Sequence, residues 1–177
     1  REILVEKKIT TEIEIQETIN EMDNRTPSNG AKVIAKAWTD PSYKQRLLTN
    51  ASDASRELGF DIGPLKLIAL ENTKSIHNVI VCTLCSCYPR NLLGLPPDWY
   101  KQRSYRSRIV KTPRTVLKEF GLDLPKDLSV RVHDSTADMR YIVLPMRPHG
   151  TENFSTQALE KLVTRDSMIG VGLPKSA

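Results

Sequence analysis

The sequence has no apolar run long enough to cross a bilayer, and no leader of charged, apolar and small residues opens it. We therefore expect a cytoplasmic protein of about one domain, with no membrane partner. Lysine and arginine exceed aspartate and glutamate by 26 to 21, but the basic residues are scattered and no strand interleaves them with aromatics. This pattern disfavours nucleic acid and favours a solvated basic face or a docking surface for an acidic partner.

Cysteine is scarce, and its placement is unusual. All three cysteines fall within "VCTLCSC", residues 81–87, at the spacing C-x-x-C-x-C. Three thiols cannot all pair as disulfides within one chain, and loops this short gain little from a bridge. The cluster therefore calls for another explanation.

Helix signals dominate the first third of the chain. Residues 1–29 are polar, with Ile15, Ile19 and Met22 at helical spacing, and predict a helical arm that packs on another surface. After a break at "NRTPSNG", a short helix is predicted over 31–38. Asp40 and Pro41 then predict the start of one long helix that ends at Gly59.

Strand signals follow, and the predicted class is α+β. Residues 30–177 are expected to form one mixed α/β layered domain, with the cysteine turn at its edge. The strands are expected over 65–70, 77–84, 128–135 and 139–148. Helices are expected over 97–101 and 113–121 and, as the last element, over 155–164 with Ser155 as its cap. The rest of 88–114 is expected to be irregular.

Two interpretations of the cysteines use ordinary chemistry. They could be buried core residues, because free cysteine packs as a small hydrophobe. They could instead hold zinc, which needs a fourth ligand; the candidates are His77, His133 and His149, none at a spacing typical of zinc sites.

A third interpretation uses the close spacing of Cys85 and Cys87. If both sulfurs bind one metal, the amide nitrogens of Ser86 and Cys87 fall into the same plane, and Cys82 reaches an axial position. One octahedral position stays open. Ionised amide nitrogens require a strongly charged metal, so cobalt(III) or iron(III) fits better than zinc(II). A trivalent ion with an open position is a Lewis acid.

The motif "VCTLCSCYP" resembles the metal-binding motif of the nitrile hydratase α subunit, a motif shared by the thiocyanate hydrolase γ subunit. Further similar segments cover most of the chain; they are "GAKVIAKAWTDP" (30–41), "LENT" (70–73), "LGLPPDWYK" (93–101), "YRSRIVKTPR" (105–114) and "LVTRDSMIGV" (162–171). The resemblance implies the metal-carrying subunit of a lyase that hydrates nitriles to amides.

The resemblance also implies roles for the motif residues. Cys82 would be the axial thiolate, Cys85 would be oxidised to sulfinic acid and Cys87 to sulfenic acid. Ser86 and Cys87 would be the catalytic positions and supply the amide nitrogens. Thr83 is the residue of cobalt-type members, which implies one noncorrin Co(3+) per chain, with Fe(3+) as the alternative. Two nucleophiles for the nitrile remain possible, namely an activated water and an oxygen of oxidised Cys87.

Partners and bracing residues are implied in the same way. Asp134 and Arg140 match family positions whose side chains support the metal ligands without binding the metal. The simpler interpretation is that these two residues form a surface ion pair. Arginines of a β-type subunit would neutralise the oxidised sulfurs, and an activator chaperone would load the metal. The arm over 1–29 is shorter than is usual in the family, which is compatible with two separate partner chains.

Three positions depart from the family pattern. Arg90 and His133 each replace a tryptophan, and Met146 replaces a glutamine. Arg90 and His133 are therefore expected in a wider or more polar substrate pocket, suited to a bulky, nucleoside-like nitrile or to thiocyanate. Thiocyanate hydrolysis to carbonyl sulfide and ammonia is the alternative function. The simpler explanation is that both residues face a differently shaped partner subunit.

Overall fold

A computed structural model describes residues 1–176. The helices are α1 (Glu2–Glu6), α2 (Glu12–Asp23), α3 (Pro27–Thr39), α4 (Pro41–Thr49), α5 (Ala51–Arg56), α6 (Arg90–Leu93), α7 (Asp98–Lys101), α8 (Arg103–Lys111), α9 (Pro113–Glu119), α10 (Thr156–Glu160) and α11 (Arg165–Ile169). The strands are β1 (Lys66–Glu71), β2 (Ile76–Val81), β3 (Ser129–Asp134) and β4 (Met139–Leu144). The predicted α+β class is confirmed.

The strands form two parallel pairs, β1 with β4 and β2 with β3. Parallel partners need long crossovers, and the crossover from β2 to β3 carries α6 to α9. In the second pair Val81 lies opposite Asp134, and the Ser135 N–H donates to the Val81 carbonyl oxygen at 2.8 Å. The carboxyl ends of β2 and β3 therefore meet at one edge, where Cys82 follows β2 directly.

Helix α3 is the centre of the core, with Val33, Ile34 and Ala35 fully buried. It packs against α4, α6, α10 and α11. It begins at Pro27, so the predicted break at "NRTPSNG" is present but confined to residues 24–26, and the predicted start at residue 31 is wrong. Pro27 suits the first helical turn, and burial along the helix outweighs the turn preference of the asparagine and glycine that follow.

The long helix predicted from Pro41 to Gly59 is interrupted. Asp40 caps it as predicted, accepting from the Tyr43 N–H at 2.9 Å. At Asn50 the backbone is extended, and the Asn50 side chain caps a new helix by accepting from the Asp53 N–H. Asparagine binds neighbouring backbone groups well enough to compete with a continuous helix.

Three helices were missed because their apolar faces are short, and one of them is α6, a single turn in the segment predicted to be irregular. Helix α8 lies in the segment predicted to be irregular, and it buries only Tyr105 and Ile109, four residues apart. Helix α11 follows the element predicted to be last, and Thr164 caps it by accepting from the Ser167 N–H at 3.1 Å. The Ser155 cap of α10 is as predicted.

Helices α1 and α2 of the N-terminal arm contribute no buried residue to the core of the described chain. Ile3, Ile9 and Ile13 of the arm are each at least 65% exposed. Its contact with a partner subunit stays a prediction, as does the domain division at residues 29 and 30. Within residues 1–176, the helices are too short or too polar to cross a membrane.

Substitution of Gly170 tests how closely the end of α11 packs against β2. Gly170 ends α11 at φ +92°, and a Cβ there would lie 2.0 Å from the Asn78 carbonyl oxygen. We expect Gly170→Ala to lower the free energy of unfolding by more than about 3 kcal/mol in urea denaturation. Gly59→Ala is the control, because Gly59 has φ +82° with open space around it; it should cost about 1 kcal/mol. Equal losses would contradict the close contact at Gly170.

Candidate metal centre

The three cysteine sulfurs form one compact group. Sγ of Cys85 lies 3.3 Å from Sγ of Cys82 and 3.1 Å from Sγ of Cys87, and all three sulfurs lie within 4.8 Å of one another. None is in a disulfide. Cys82 is buried, Cys87 is half-buried and Cys85 is exposed. The interpretation as buried core cysteines is therefore wrong for Cys85.

The backbone of the turn also faces the sulfurs. The Cys85 N–H donates to Sγ of Cys82 at 3.2 Å. The pKa of Cys85 is lowered mainly by hydrogen bonds from the Cys87 and Cys82 thiols, with smaller contributions from the N–H groups of Cys87 and Ser86. The three sulfurs lie together in a short turn that also carries the Ser86 and Cys87 nitrogens, and this donor set fits a metal bound by thiolates and backbone nitrogens.

Asp134 holds the first residue of the turn. Its carboxylate accepts from the Thr83 N–H at 2.9 Å and, in a short contact, from the Thr83 hydroxyl. The parallel register of β2 and β3 brings these residues together, although 51 positions separate them. Arg140 is not paired with Asp134: its Nη1 donates to the carbonyl oxygens of Ala137 and Met139.

Helices α7 and α8 hold the outer side of the turn. The Tyr105 hydroxyl donates to the Ile80 carbonyl oxygen at 2.9 Å, and the Tyr100 hydroxyl donates to that of Cys87 at 3.0 Å. Between them, Nη1 of Arg106 lies 2.8 Å from the Cys85 carbonyl oxygen and 3.3 Å from that of Thr83. In a trans peptide the N–H points away from the carbonyl oxygen, so the Ser86 N–H is directed away from Arg106, which binds the Cys85 carbonyl oxygen.

Tyr100, Tyr105 and Arg106 were missed as site residues. They lie in segments that resemble the family, but no motif in the sequence places them beside the cysteines. An aromatic cluster keeps them in place: the ring centroids of Trp99 and Tyr105 are 4.8 Å apart, and those of Tyr88 and Tyr100 are 5.0 Å apart. The spacing of Tyr105 and Ile109 on one helix face was the available signal.

The thiols differ in acidity because they share hydrogen bonds. Hydrogen bonds from the Cys87 and Cys82 thiols lower the pKa of Cys85 to about 7. Burial and the hydrogen bond to Cys85 raise the pKa of Cys87, while the positive charge of Arg140 acts in the opposite direction. Arg140 therefore acts electrostatically on Cys87, without a hydrogen bond to it in the described structure.

The two residues predicted for a substrate pocket do not meet at the cluster. Arg90 begins α6 with an exposed side chain. Nε2 of His133 lies 2.9 Å from Oδ1 of Asn78, and burial lowers the pKa of this histidine. Among residues 1–176, no hydrogen bond joins either side chain to the cysteine turn, so their role in substrate binding stays a prediction.

The histidines also leave the zinc interpretation without a fourth ligand. Nε2 of His77 lies 2.7 Å from the Gly170 carbonyl oxygen, and Nδ1 lies 3.3 Å from the Asn72 amide nitrogen. Burial lowers the pKa of His77. In the described part of the chain, the cysteines group with no histidine or carboxylate as a possible metal site.

Comparison with known proteins agrees with this geometry. The family model described as "Nitrile hydratase, alpha chain" matches residues 1–172. The chain belongs to the nitrile hydratase α-chain family. The resemblance noted in the sequence is thereby confirmed, as is the prediction of an enzyme subunit of this class.

Individual relatives of this nitrile hydratase α chain cover nearly all of it. It is 51% identical over 176 residues to the low-molecular weight cobalt-containing nitrile hydratase subunit alpha of Rhodococcus rhodochrous, which spans 97% of this chain and 84% of that one. It is 39% identical over 187 residues to the thiocyanate hydrolase subunit gamma of Thiobacillus thioparus, covering 99% and 77%. A double mutant of the Fe-type nitrile hydratase from Comamonas testosteroni Ni1 superposes with a TM-score of 0.92 at 46% identity, covering 99% and 88%.

The acidity of Cys85 gives a test on the metal-free chain. Thiolates are the nucleophilic form, so alkylation of Cys85 by iodoacetamide should reach its half-maximal rate near pH 7, the value to which its pKa is lowered. Cys87 should react only at more alkaline pH, because its pKa is raised. Mass spectrometry of the tryptic peptide 75–90 separates the sites.

Cys87→Ala is the matched control for this measurement. It removes the hydrogen bond that contributes most to the low pKa of Cys85, so the half-maximal alkylation rate at Cys85 should move to higher pH. Faster alkylation of Cys87 than of Cys85 in the parent chain would contradict the assignment.

Proposed function

We propose that this chain is the metal-carrying subunit of a cobalt-type nitrile hydratase, which adds water to a nitrile to give an amide. The observation that carries the proposal is the convergence of three sulfurs within 4.8 Å in a turn whose backbone N–H groups face them. Membership of the nitrile hydratase α-chain family supports the same activity.

Cobalt is proposed from two observations. Two relatives at 49–51% identity are named as cobalt-containing nitrile hydratase α subunits, and Thr83 is the residue that the resemblance associates with cobalt. A similar solved structure is Fe-type, so iron(III) is the alternative metal. Cys82, Cys85, Cys87 and the amide nitrogens of Ser86 and Cys87 would hold the ion. When bound, it would supply a Lewis acid for the nitrile.

The chain's own residues prepare this site. Asp134 and Arg106 fix the turn at Thr83 and Cys85, which keeps the sulfurs and amide nitrogens on its inner side. Arg140 supplies positive charge near Cys87. We propose that Cys85 is held as sulfinic acid, because an exposed thiol of low pKa is readily oxidised. Cys87 is proposed as sulfenic acid on the family resemblance, since a bound metal would lower the pKa of its thiol.

A partner subunit is proposed because the site is open. Leu84, in the middle of the metal-binding turn, is 90% exposed, and Cys85 beside it is exposed as well. A β-type subunit, as one chain or two, would cover this face and bring positive charge to the oxidised sulfurs. The apolar residues of α1 and α2 would contact the same subunit, and an activator would deliver the cobalt.

Thiocyanate hydrolysis is the second candidate. It is favoured by the 39% identity to the thiocyanate hydrolase subunit gamma and by Arg90, which the resemblance also associates with that enzyme. A nucleoside-like nitrile is not supported: the relatives described above are named as nitrile hydratase and thiocyanate hydrolase subunits, and within residues 1–176 neither Arg90 nor His133 is hydrogen-bonded to the turn. We therefore propose a small-molecule nitrile.

Product analysis decides between the two functions. The complex purified with its partner from cobalt-supplied cells should contain about one cobalt per chain and convert a simple nitrile to its amide, measured by chromatography. Carbonyl sulfide from thiocyanate, without amide from nitriles, would favour the alternative. Zinc in the complex, with neither product, would contradict both functions.

Substitutions at Ser86 test the amide nitrogen as a ligand. Ser86→Pro removes the N–H and should abolish cobalt retention and activity, whereas Ser86→Ala keeps it and should retain most of the cobalt. Cys82→Ser, Cys85→Ser and Cys87→Ser should each abolish both as well. Elemental analysis of the purified complexes measures the metal. A site built from thiolates alone would bind metal equally in the Pro and Ala variants. Equal metal content in the two variants would therefore contradict the assignment of the Ser86 nitrogen as a ligand.

A further inference from the structure

The closest contact of Arg106 with the turn is to the peptide group between Cys85 and Ser86. Nη1 of Arg106 lies 2.8 Å from the Cys85 carbonyl oxygen, the shorter of its two contacts with the turn. Among residues 1–176 no carboxylate forms an ion pair with Arg106. Its charge is therefore directed at backbone carbonyl oxygens rather than at an acidic side chain.

The Cys85 carbonyl and the Ser86 nitrogen belong to the same peptide group. In the proposed metal site this nitrogen is a ligand, and binding replaces its proton, which leaves to solvent. Peptide resonance shares the resulting negative charge between the Ser86 nitrogen and the Cys85 carbonyl oxygen. A cationic donor on that oxygen stabilises the charged peptide, because hydrogen bonds between ionised groups are about twice as strong as neutral ones.

We propose that Arg106 is a positioning residue that holds the Cys85–Ser86 peptide and stabilises the negative charge this peptide carries when it binds cobalt. This inference rests on the proposed function, because it assumes that the Ser86 nitrogen is a ligand.

The other bonded carbonyl groups of the turn differ from that of Cys85. Those of Val81, Thr83 and Cys87, and that of Ile80 at the end of β2, belong to peptides whose nitrogens lie in Cys82, Leu84, Tyr88 and Val81, and none of these nitrogens is a proposed ligand. That of Val81 accepts from the Ser135 N–H. Those of Ile80 and Cys87 accept from the neutral hydroxyls of Tyr105 and Tyr100, and that of Thr83 accepts the longer contact of Arg106. The closest cationic contact thus falls on the one bonded peptide that is expected to become charged.

Arg103 provides a matched control. It lies on the same helix and lines the same cleft, of about 520 Å³, together with Thr83, Arg106 and Lys111. No hydrogen bond among residues 1–176 joins the Arg103 side chain to the turn. Removing its charge changes the local field in a similar way, but leaves the Cys85 carbonyl contact intact.

The experiment compares Arg106→Gln, Arg106→Lys and Arg103→Gln in the complex with its partner, purified from cobalt-supplied cells. The rate of cobalt loss to a chelator, the thiolate-to-cobalt absorption band and the thermal midpoint of unfolding are measured. We expect Arg106→Gln to lose cobalt on the order of 10-fold faster than the parent and to shift the absorption band. Arg106→Lys should recover part of the retention because it keeps the charge, and Arg103→Gln should match the parent.

Equal cobalt loss and an unchanged band in Arg106→Gln and Arg103→Gln would overturn the inference while leaving the proposed function intact. So would a loss in Arg106→Gln that Arg106→Lys does not reduce at all. A parent complex without cobalt would overturn the proposed function, and the inference with it. A lower thermal midpoint with normal cobalt retention would show that Arg106 only supports the fold.

Discussion

The contact between Asp134 and Thr83 is the constraint on which the metal-binding turn depends. It crosses from the end of β3 to the first residue after Cys82, and it satisfies both the N–H and the hydroxyl of Thr83. Because β2 and β3 are parallel, their carboxyl ends lie at the same edge, so the carboxylate and the turn meet there. With the start of the turn fixed, the three sulfurs can be held within 4.8 Å of one another.

The carbonyl oxygens on the outer face of the turn need hydrogen-bond partners. Helices α7 and α8 pack beside carbonyl oxygens of β2 and of the turn, and polar groups that lose water need partners. Tyr100, Tyr105 and Arg106 supply these partners from α7 and α8, which the aromatic cluster around Trp99 keeps rigid. The helical segment and the metal site are thus parts of one arrangement.

The relatives of this chain are named for two chemistries, nitrile hydration and thiocyanate hydrolysis. Residues outside the turn differ: Arg90 is exposed at the start of α6, and His133 is bonded to Asn78. The Asn78 amide also donates to the Glu71 carbonyl oxygen and to Asn72, so the histidine joins a polar network between the strand pairs. Because the amide oxygen of Asn78 accepts, Nε2 of His133 is the donor in this contact, and the tryptophan of the family pattern also carries a donor N–H.

The sequence by itself located the candidate metal site and the family, because all three cysteines fall within residues 81–87. Cys85, Ser86 and Cys87 are neighbours in the chain, so their sulfurs and amide nitrogens lie close together, and the flanking segments revealed the family. Strong local signals, such as the caps at Asp40 and Ser155, were also readable. The break at Asn50 and helix α8 were not, because a competing side-chain cap and a short buried face leave weak patterns.

Only the tertiary structure decided what surrounds the chelate. The pairing of Asp134 with Thr83 spans 51 positions, and that of Arg106 with Cys85 spans 21. Such contacts follow from strand register and helix packing, which one sequence does not encode locally. For the same reason His133 could not be assigned from its neighbours in the chain: its hydrogen-bond partner lies on β2, 55 residues away.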